Sequence, residues 1–124
     1  MKRIEDLTDA ELNALVAEKI MEEWTYRHHI WWDNKNMTHM EVFKPSTDPA
    51  LFFLVDKPGW TWRFEELIGH DKDPWLLCEV FKLGIRIAWC DVSLDPDNKA
   101  AAYCRGRCIV ALKAECGGYA ECIK

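Results

Sequence analysis

A helix near the amino terminus is the element that this sequence specifies most tightly. Thr8 and Glu11 form a capping box, in which the threonine hydroxyl accepts from the amide of Glu11 and the glutamate side chain reaches back to the amide of Thr8. Leu7 and Leu12 occupy the positions of a hydrophobic staple. Apolar residues then recur at helical spacing, which predicts a helix over about residues 9–23 with one buried face.

Two further helix starts follow along the chain. Asp48 stands before Pro49 as a capping side chain ahead of a proline at the first helical position. This signal predicts a two-turn helix over about residues 48–56. An aspartate-rich turn begins a last helix, which we expect over about residues 96–115 because Gly117 stops it.

The segments between these helices predict antiparallel strands. Alternation from 60 to 67 places Trp and Phe residues on one side and polar residues on the other. The segments 75–82 and 85–92 are rich in β-branched and aromatic residues and flank Gly84, so a hairpin is expected; a helix across 75–82 is the competing interpretation. Residues 24–32 also alternate, which predicts a strand or an extended loop, and a further short extended piece is expected at 40–43.

The chain length limits the number of hydrophobic cores. A chain of 124 residues is close to the commonest domain size, so we expect a single domain spanning 1–124. Its 49% hydrophobic and 30% charged residues are typical of a globular protein. Helices at both ends of a set of strands predict an α+β fold with an antiparallel sheet.

The charge balance limits the partners that the chain can bind. The formal net charge is −5 and the 16 lysines and arginines are spread singly, whereas proteins that bind phosphate backbones present a basic face. Nonspecific nucleic-acid binding is therefore disfavoured. The negative charge is best explained as a means of keeping the protein soluble. A weaker alternative is that the chain mimics a nucleic acid and occupies a basic surface of a partner. No apolar stretch has the length of a signal peptide or a membrane span, so we expect a cytosolic protein without membrane contact.

The six cysteines predict buried thiols rather than a reactive site. Cys104 and Cys108 lie on the apolar stripe of the last helix, where they are best explained as small hydrophobic residues. A zinc site that adds Cys116 and Cys122 is the alternative, although structural zinc sites usually begin with a closely spaced pair on a turn. No exposed thiol in an electropositive context is evident.

The sequence lacks recognisable catalytic motifs. There is no hydrolase elbow, phosphate loop or dinucleotide fingerprint. Asp91, Asp95, Asp97 and Glu79 would suit magnesium if they gathered, but helix capping is the simpler explanation for Asp95 and Asp97. We therefore expect no cofactor and no bound metal.

The aromatic residues are the best candidates for binding. Seven tryptophans in a chain of this size is unusual, and a tryptophan beside an arginine can stack on a base or anchor a protein interface. The competing interpretation is that most of these rings form a core row under a helix. The candidate binding residues lie beside two predicted turns: His28, Trp31, Trp32, Trp60, Trp62 and Arg63.

Three stretches of the chain carry a resemblance to a known family. Residues 12–21, LNALVAEKIM, resemble the L-D-A-L-V-A-E-K-V-M opening of the phage ABA-sandwich domain proteins. Residues 46–50, STDPA, and 108–114, CIVALKA, are similar to that family's Y-S-T-D-I-A and A-I-C-R-A-A-L-K-A segments, in the same order. The chain departs from the family at Pro45, where the family has Tyr, and at 51–56, where LFFLVD replaces A-W-E-V-V-E.

The resemblance implies three layers (α/β/α), with the antiparallel sheet sandwiched between helices, and a phage or prophage protein in a bacterial host cytoplasm. It implies no catalytic residue. We therefore expect a small non-enzymatic phage-type binding protein, used in counter-defence to inhibit a host antiviral system by direct binding of a host protein. One alternative is a sponge that sequesters a nucleotide signal molecule between Trp60, Trp62, Arg63 and Arg86. A second alternative is a metal-dependent or thiol enzyme.

Overall fold

The structure is a computed structural model that covers most of the chain. Within residues 22–43 it describes only the backbone of the three strands given below. The described residues are 2–21, 24–27, 30–33, 38–40, 44–69 and 72–117.

Ten elements follow one another along the described chain. Two are short 3₁₀ helices, which we label η1 and η2. In order, the elements are η1 (Ile4–Asp6), α1 (Asp9–Lys19), β1 (Trp24–Arg27), β2 (Ile30–Asp33), β3 (Thr38–Met40), η2 (Pro49–Leu54), β4 (Trp60–Ile68), β5 (Pro74–Lys82), β6 (Ile85–Ser93) and α2 (Lys99–Cys116).

The capping box that begins α1 forms as its sequence predicts. The amide of Glu11 donates to the Thr8 hydroxyl over 3.2 Å, and the amide of Thr8 donates to the Glu11 carboxylate over 3.1 Å. The helix ends at Lys19, earlier than the expected boundary near residue 23. Its buried stripe packs on α2.

The other two helices differ from their predicted form. The segment after Asp48 is a six-residue 3₁₀ helix rather than two α-helical turns, and Pro58 follows it closely. A short apolar segment that must end before a proline suits the tighter 3₁₀ geometry, which occurs in short pieces. The last helix begins at Lys99 instead of residue 96 because Asn98 is its cap, accepting from the amide of Ala101 over 3.3 Å.

The strands form two antiparallel sheets of three strands each, in the orders β1-β2-β3 and β4-β5-β6. The predicted β5–β6 hairpin is confirmed, and the competing helix over 75–82 is wrong. Leu83 and Gly84 connect these strands with φ angles of 54° and 78°, as in a type I′ turn. The segment 24–32 is divided between β1 and β2, with Arg27 paired opposite Ile30. Residues 41–43, in the further extended piece expected there, lie outside the described residues.

The β4–β6 sheet has two chemically different faces. On the face that we call the core face, Leu76, Cys78 and Val80 of β5 are buried beneath α2. The helix approaches closely at Gly106, where an added Cβ would overlap the Sγ of Cys78. The opposite face, which we call the open face, carries alternate residues such as Arg63. The predicted alternation of β4 is therefore confirmed.

The fold is α+β, as expected: an antiparallel sheet packs against helices. Helix α2 is the centre of this arrangement, since it contacts β5, β6, α1, η1 and η2. Its residues 108–112 are all buried. Among the described helices, none is long and apolar enough to cross a membrane.

Candidate interaction surfaces

Trp60 and Trp62 lie on the core face, where both pack against the buried cluster. Their rings are 5.9 Å apart, and the Trp62 ring stacks on Phe64 at 6.0 Å with an interplanar angle of 6°. The Trp62 Nε1 donates to Asp56 over 2.9 Å. Because Arg63 is on the open face, the sheet separates it from both tryptophans, and these residues do not line one pocket.

A buried arginine completes the aromatic cluster of the core face. The guanidinium of Arg107 lies 4.2 Å from the centroid of Trp62 and 4.4 Å from that of Phe52. Its Nε donates to the Val55 carbonyl over 2.7 Å, and Arg107 as a whole is only 4% exposed. Burial lowers the pKa of Arg107 from its ordinary value, although the charge of Asp56 opposes that shift. The arginine joins α2, η2 and β4, which is a structural role.

The first exposed candidate surface is the η2 ridge, which we define as Phe53 and Leu54. Phe53 is 80% exposed, although a large apolar side chain favours burial. Its ring packs edge-on against Phe52 at 5.2 Å, and Phe52 in turn rests on Arg107. The exposed ring is therefore held by a well-packed base.

A shallow apolar groove lies beside the η2 ridge, between η2 and the beginning of α2. Its volume is about 220 Å³. No charged side chain lines it. The lining residues are Pro49, Phe52, Phe53, Ala100, Tyr103 and Cys104.

The second exposed surface is the open face, which is organised in rows across the three strands. In the arginine row, Arg63 is paired opposite Glu79 and Glu79 opposite Trp89. Arg86 lies one row away, opposite Phe81, and its side chain reaches into the arginine row: its Nη1 donates to Glu79 over 2.9 Å and its guanidinium lies 5.3 Å from the Trp89 centroid. Trp89 is 44% exposed, so this Trp–Arg pair is accessible.

Glu79 is the unusual member of the arginine row because it is 5% exposed. One carboxylate oxygen accepts from Arg86, whereas the other accepts no hydrogen bond and has only an ion contact of 3.7 Å with Arg63. A buried carboxylate needs paired charge to offset its desolvation. The two arginines supply that charge and fix the row.

The next row of the open face carries the opposite charge. Glu65, Leu77 and Asp91 are paired across the three strands and form what we call the acidic row. Glu65 is bonded to Arg63 over 3.1 Å. Asp91 is exposed, and within the described residues it has no ion-pair or hydrogen-bond partner. Basic and acidic groups are thus separated along the strands.

The outer edge of β6 is protected against another strand. Lys113 of α2 donates its Nζ to the Trp89 carbonyl over 2.8 Å and lies 5.6 Å from the Trp89 ring. A β-bulge near Val80 and Phe81 also interrupts the register. Lysines and bulges are two common devices that blunt a free sheet edge. The β6 edge is therefore less available to a partner than the open face.

A further cavity of about 410 Å³ lies where β6 meets the start of α2, and its lining includes Asp91, Asp95 and Arg105. Arg105 is already bonded to Asp9 over 2.8 Å and to the Leu7 carbonyl over 2.7 Å. Among the residues that the structure describes, no three His, Cys, Asp or Glu side chains are grouped to hold a metal ion.

The cysteines are mainly part of the core. The expectation of buried thiols is confirmed for four cysteines, and it is wrong for Cys116, which is disulfide-bonded. Burial raises the pKa of the Cys108 thiol above its ordinary value, and a hydrogen bond with Cys90 together with burial raises that of Cys78. Among the described residues, the free thiols are Cys78, Cys90, Cys104 and Cys108.

The remaining predicted binding residues fall in the less described part of the chain. Trp31 and Trp32 are in β2, with their backbones paired opposite Tyr26 and Thr25. His28 lies outside the described residues. Their role in binding stays a prediction.

Sequence reasoning missed Phe53, Trp89 and Arg107, and it considered Glu79 only as a possible magnesium ligand. A signal for Trp89 was present, because the neighbouring positions Ala88 and Cys90 are small enough to lie under a helix and so direct Trp89 to the other face. The exposure of Phe53 depends on the 3₁₀ geometry of η2, which the sequence did not reveal.

No protein-family model matches the chain, and no curated protein or solved structure matches it either. The resemblance to the phage ABA-sandwich family therefore stays a prediction.

Proposed function

We propose that this chain is a non-enzymatic, phage-type binding protein that inhibits a host antiviral system by occupying a surface of one of its proteins, with the η2 ridge as the principal contact. The observation that carries the proposal is the 80% exposure of Phe53 on a well-packed base. The phage context and the counter-defence use rest on the resemblance at 12–21, 46–50 and 108–114.

The η2 ridge has the properties of an anchor for a protein interface. Interfaces are dominated by a few aromatic side chains that are buried in the partner. A side chain that is already held in one position loses less conformational freedom on binding. The contacts of Phe53 with Phe52, and of Phe52 with Arg107, supply that support.

The groove beside the ridge favours a protein partner over a nucleotide signal. Its volume of about 220 Å³ is below the usual range for ligand pockets, which is roughly 300–1,000 Å³. No arginine or lysine lines it, whereas phosphate groups are usually bound by cationic side chains. An apolar side chain of a partner protein suits this groove better.

The test begins with capture and identification of the host protein, followed by calorimetric titration of the purified pair. We expect Phe53→Ala to weaken binding by roughly 30-fold, equivalent to about 2 kcal/mol for an aromatic anchor. Ile68→Ala is the matched control, because Ile68 is also an exposed apolar residue, at 74%, but lies at the end of β4. We expect this control to bind as the unaltered protein does.

The same variants distinguish the alternative function. Phe53→Ala should also restore host defence during phage infection, while Ile68→Ala should not. Equal binding and equal inhibition by both variants would remove the η2 ridge from the account. A thermal shift with nucleotides equivalent to about 2.7 kcal/mol at 100 times the dissociation constant would favour a sponge instead.

A further inference from the structure

We infer that the open face is a dimer interface on which a second copy of this chain is seated, sheet against sheet, with the strands of the two copies running in opposite directions. This inference uses a different surface from the η2 ridge and does not rest on the proposed function. Its basis is the order of charges and rings along β4, β5 and β6.

The arginine row and the acidic row are adjacent, so they match each other in a two-fold arrangement. Rotation about an axis that crosses the strands between these rows places each arginine row over the acidic row of the other copy. Arg63 then faces Glu65 of the partner subunit. Trp89, with the guanidinium of Arg86 beside its ring, faces Asp91 of the partner subunit, a carboxylate with no ion-pair partner among the described residues of its own chain.

The same rotation also matches the apolar rows. Phe81 lies one row beyond Glu79 towards the hairpin turn, and Trp75 lies one row beyond Leu77 in the other direction. Phe81 therefore faces Trp75 of the partner subunit, and both residues are half-buried in the single chain. Paired aromatic rings contribute beyond the area that they bury.

Other arrangements of the two copies fit less well. An axis parallel to the strands would place each row over the same row of the other copy, so that Glu65 faces Asp91 of the partner subunit and Glu79 faces Glu79 of the partner subunit. Like charges in contact across an interface strongly disfavour association. Glu79 adds no new desolvation in the favoured arrangement, since it is only 5% exposed before association and already bonded to Arg86.

The size of the open face predicts a weak dimer. Its three strands have nine residues each. At standard strand rise and spacing, the face measures roughly 30 Å by 14 Å, or about 430 Å² per copy as a flat surface without protruding side chains. Interfaces of this size belong to reversible complexes, so we expect a dissociation constant between roughly 1 µM and 1 mM.

The dimer leaves the η2 ridge available. Because η2 contacts α2 and the core-face ring of Phe64, it lies on the helical side of the sheet, away from the open face. A dimer therefore presents two η2 ridges on its outer sides. Two sites on one particle increase the apparent affinity for a partner that can engage both.

Sedimentation velocity on the purified full chain, between roughly 1 µM and 1 mM, tests this inference. The unaltered protein should change from monomer to dimer over this range. Asp91→Arg should weaken association by roughly tenfold or more, because it places an arginine against Arg86 of the partner subunit. Asp97→Arg makes the same charge change in the turn before α2, and it should dimerise as the unaltered protein does.

Asp91 is exposed and has no partner in the described part of the chain, so its replacement should leave circular dichroism and melting temperature unchanged. If Asp91→Arg does misfold, Asp91→Asn removes only the charge and should weaken association by a smaller factor. Phe53→Ala should not alter association. A monomer at every concentration would overturn the inference, and so would an Asp91→Arg or Asp91→Asn protein that folds and dimerises as tightly as the unaltered chain.

Discussion

The two sides of the β4–β6 sheet contain the same chemical pair in opposite circumstances. On the core face the guanidinium of Arg107 lies 4.2 Å from the Trp62 centroid, and on the open face that of Arg86 lies 5.3 Å from the Trp89 centroid. The side chain of Arg107 is 5% exposed, whereas that of Arg86 is 45% exposed. An arginine beside a tryptophan therefore does not by itself indicate a binding site. The elements that cover the pair determine its role.

The covering of the core-face pair follows from α2 and η2. Arg107 is in the middle of α2. One side of its guanidinium contacts Trp62 of β4, and Phe52 of η2 covers another side. Arg86 is instead on an edge strand, and no described helix packs on its face of the sheet. The Arg107–Trp62 pair holds three elements together. The Arg86–Trp89 pair leaves its outer surface accessible to another molecule.

Replacement of Arg107 should have the largest effect on stability and so tests the difference between the two pairs most strongly. We expect Arg107→Ala to lower the free energy of unfolding by about 3 kcal/mol, because it removes two ring contacts and leaves the Val55 carbonyl without its buried donor. Arg86→Ala should cost about 1 kcal/mol, since Arg63 still compensates Glu79 and loss of the half-exposed Arg86 side chain lets water reach the carboxylate. Urea denaturation measures both values. Equal losses for the two variants would show that the two pairs have the same role.

Gly106 tests how closely the covering helix must approach the core face. Gly106→Ala should destabilise the chain by about 2 kcal/mol, because its Cβ would overlap the Sγ of Cys78. Combining Gly106→Ala with Cys78→Ala removes the sulfur that the new Cβ would meet. The double variant should therefore lose about 1 kcal/mol less free energy of unfolding than the sum of the two single losses. Additive losses would mean that the helix is held apart by some other contact.

The buried thiol of Cys108 in α2 predicts a loss of stability in mild alkali. The folded state holds the proton of Cys108 because burial raises its pKa, while the unfolded thiol releases it near pH 8.5. The unfolded state therefore binds fewer protons above that pH, and stability falls as the pH rises. Between pH 8 and pH 9 we expect a loss of about 0.7 kcal/mol from this thiol.

Denaturation of Cys108→Ala at both pH values is the matched control for the thiol. Its lysines and tyrosines are unchanged, so its smaller pH dependence would isolate the contribution of Cys108. A pH dependence equal to that of the unaltered chain would show that this thiol titrates normally in the folded state.

The sequence was sufficient for the elements whose signals are local. The capping box at Thr8 needs only Glu11 three residues later, and the β5–β6 hairpin needs only Gly84 between two strand patterns. The alternation of β4 also predicted which residues share a face. Within residues 44–69 and 72–117, local patterns therefore located each strand.

The sequence was insufficient where long-range packing decides. Alternation separated Trp62 from Arg63, but it did not show which face α2 would cover, and so it did not distinguish a core ring from an exposed one. Arg107 contacts the ring of Trp62, which is 45 residues earlier in the sequence, and that of Phe52, which is farther still. Contacts at such separation leave no local pattern.

Hydroxyl-radical footprinting of the tryptophans, at a concentration where the chain is monomeric, tests the central claim most directly. The claim is that the core-face rings are structural and the open-face ring is available for contact. We expect Trp89 to be oxidised several-fold faster than Trp62 in the native protein, and both to react alike after denaturation in urea. Native rates for Trp62 that equal or exceed those for Trp89 would contradict the account.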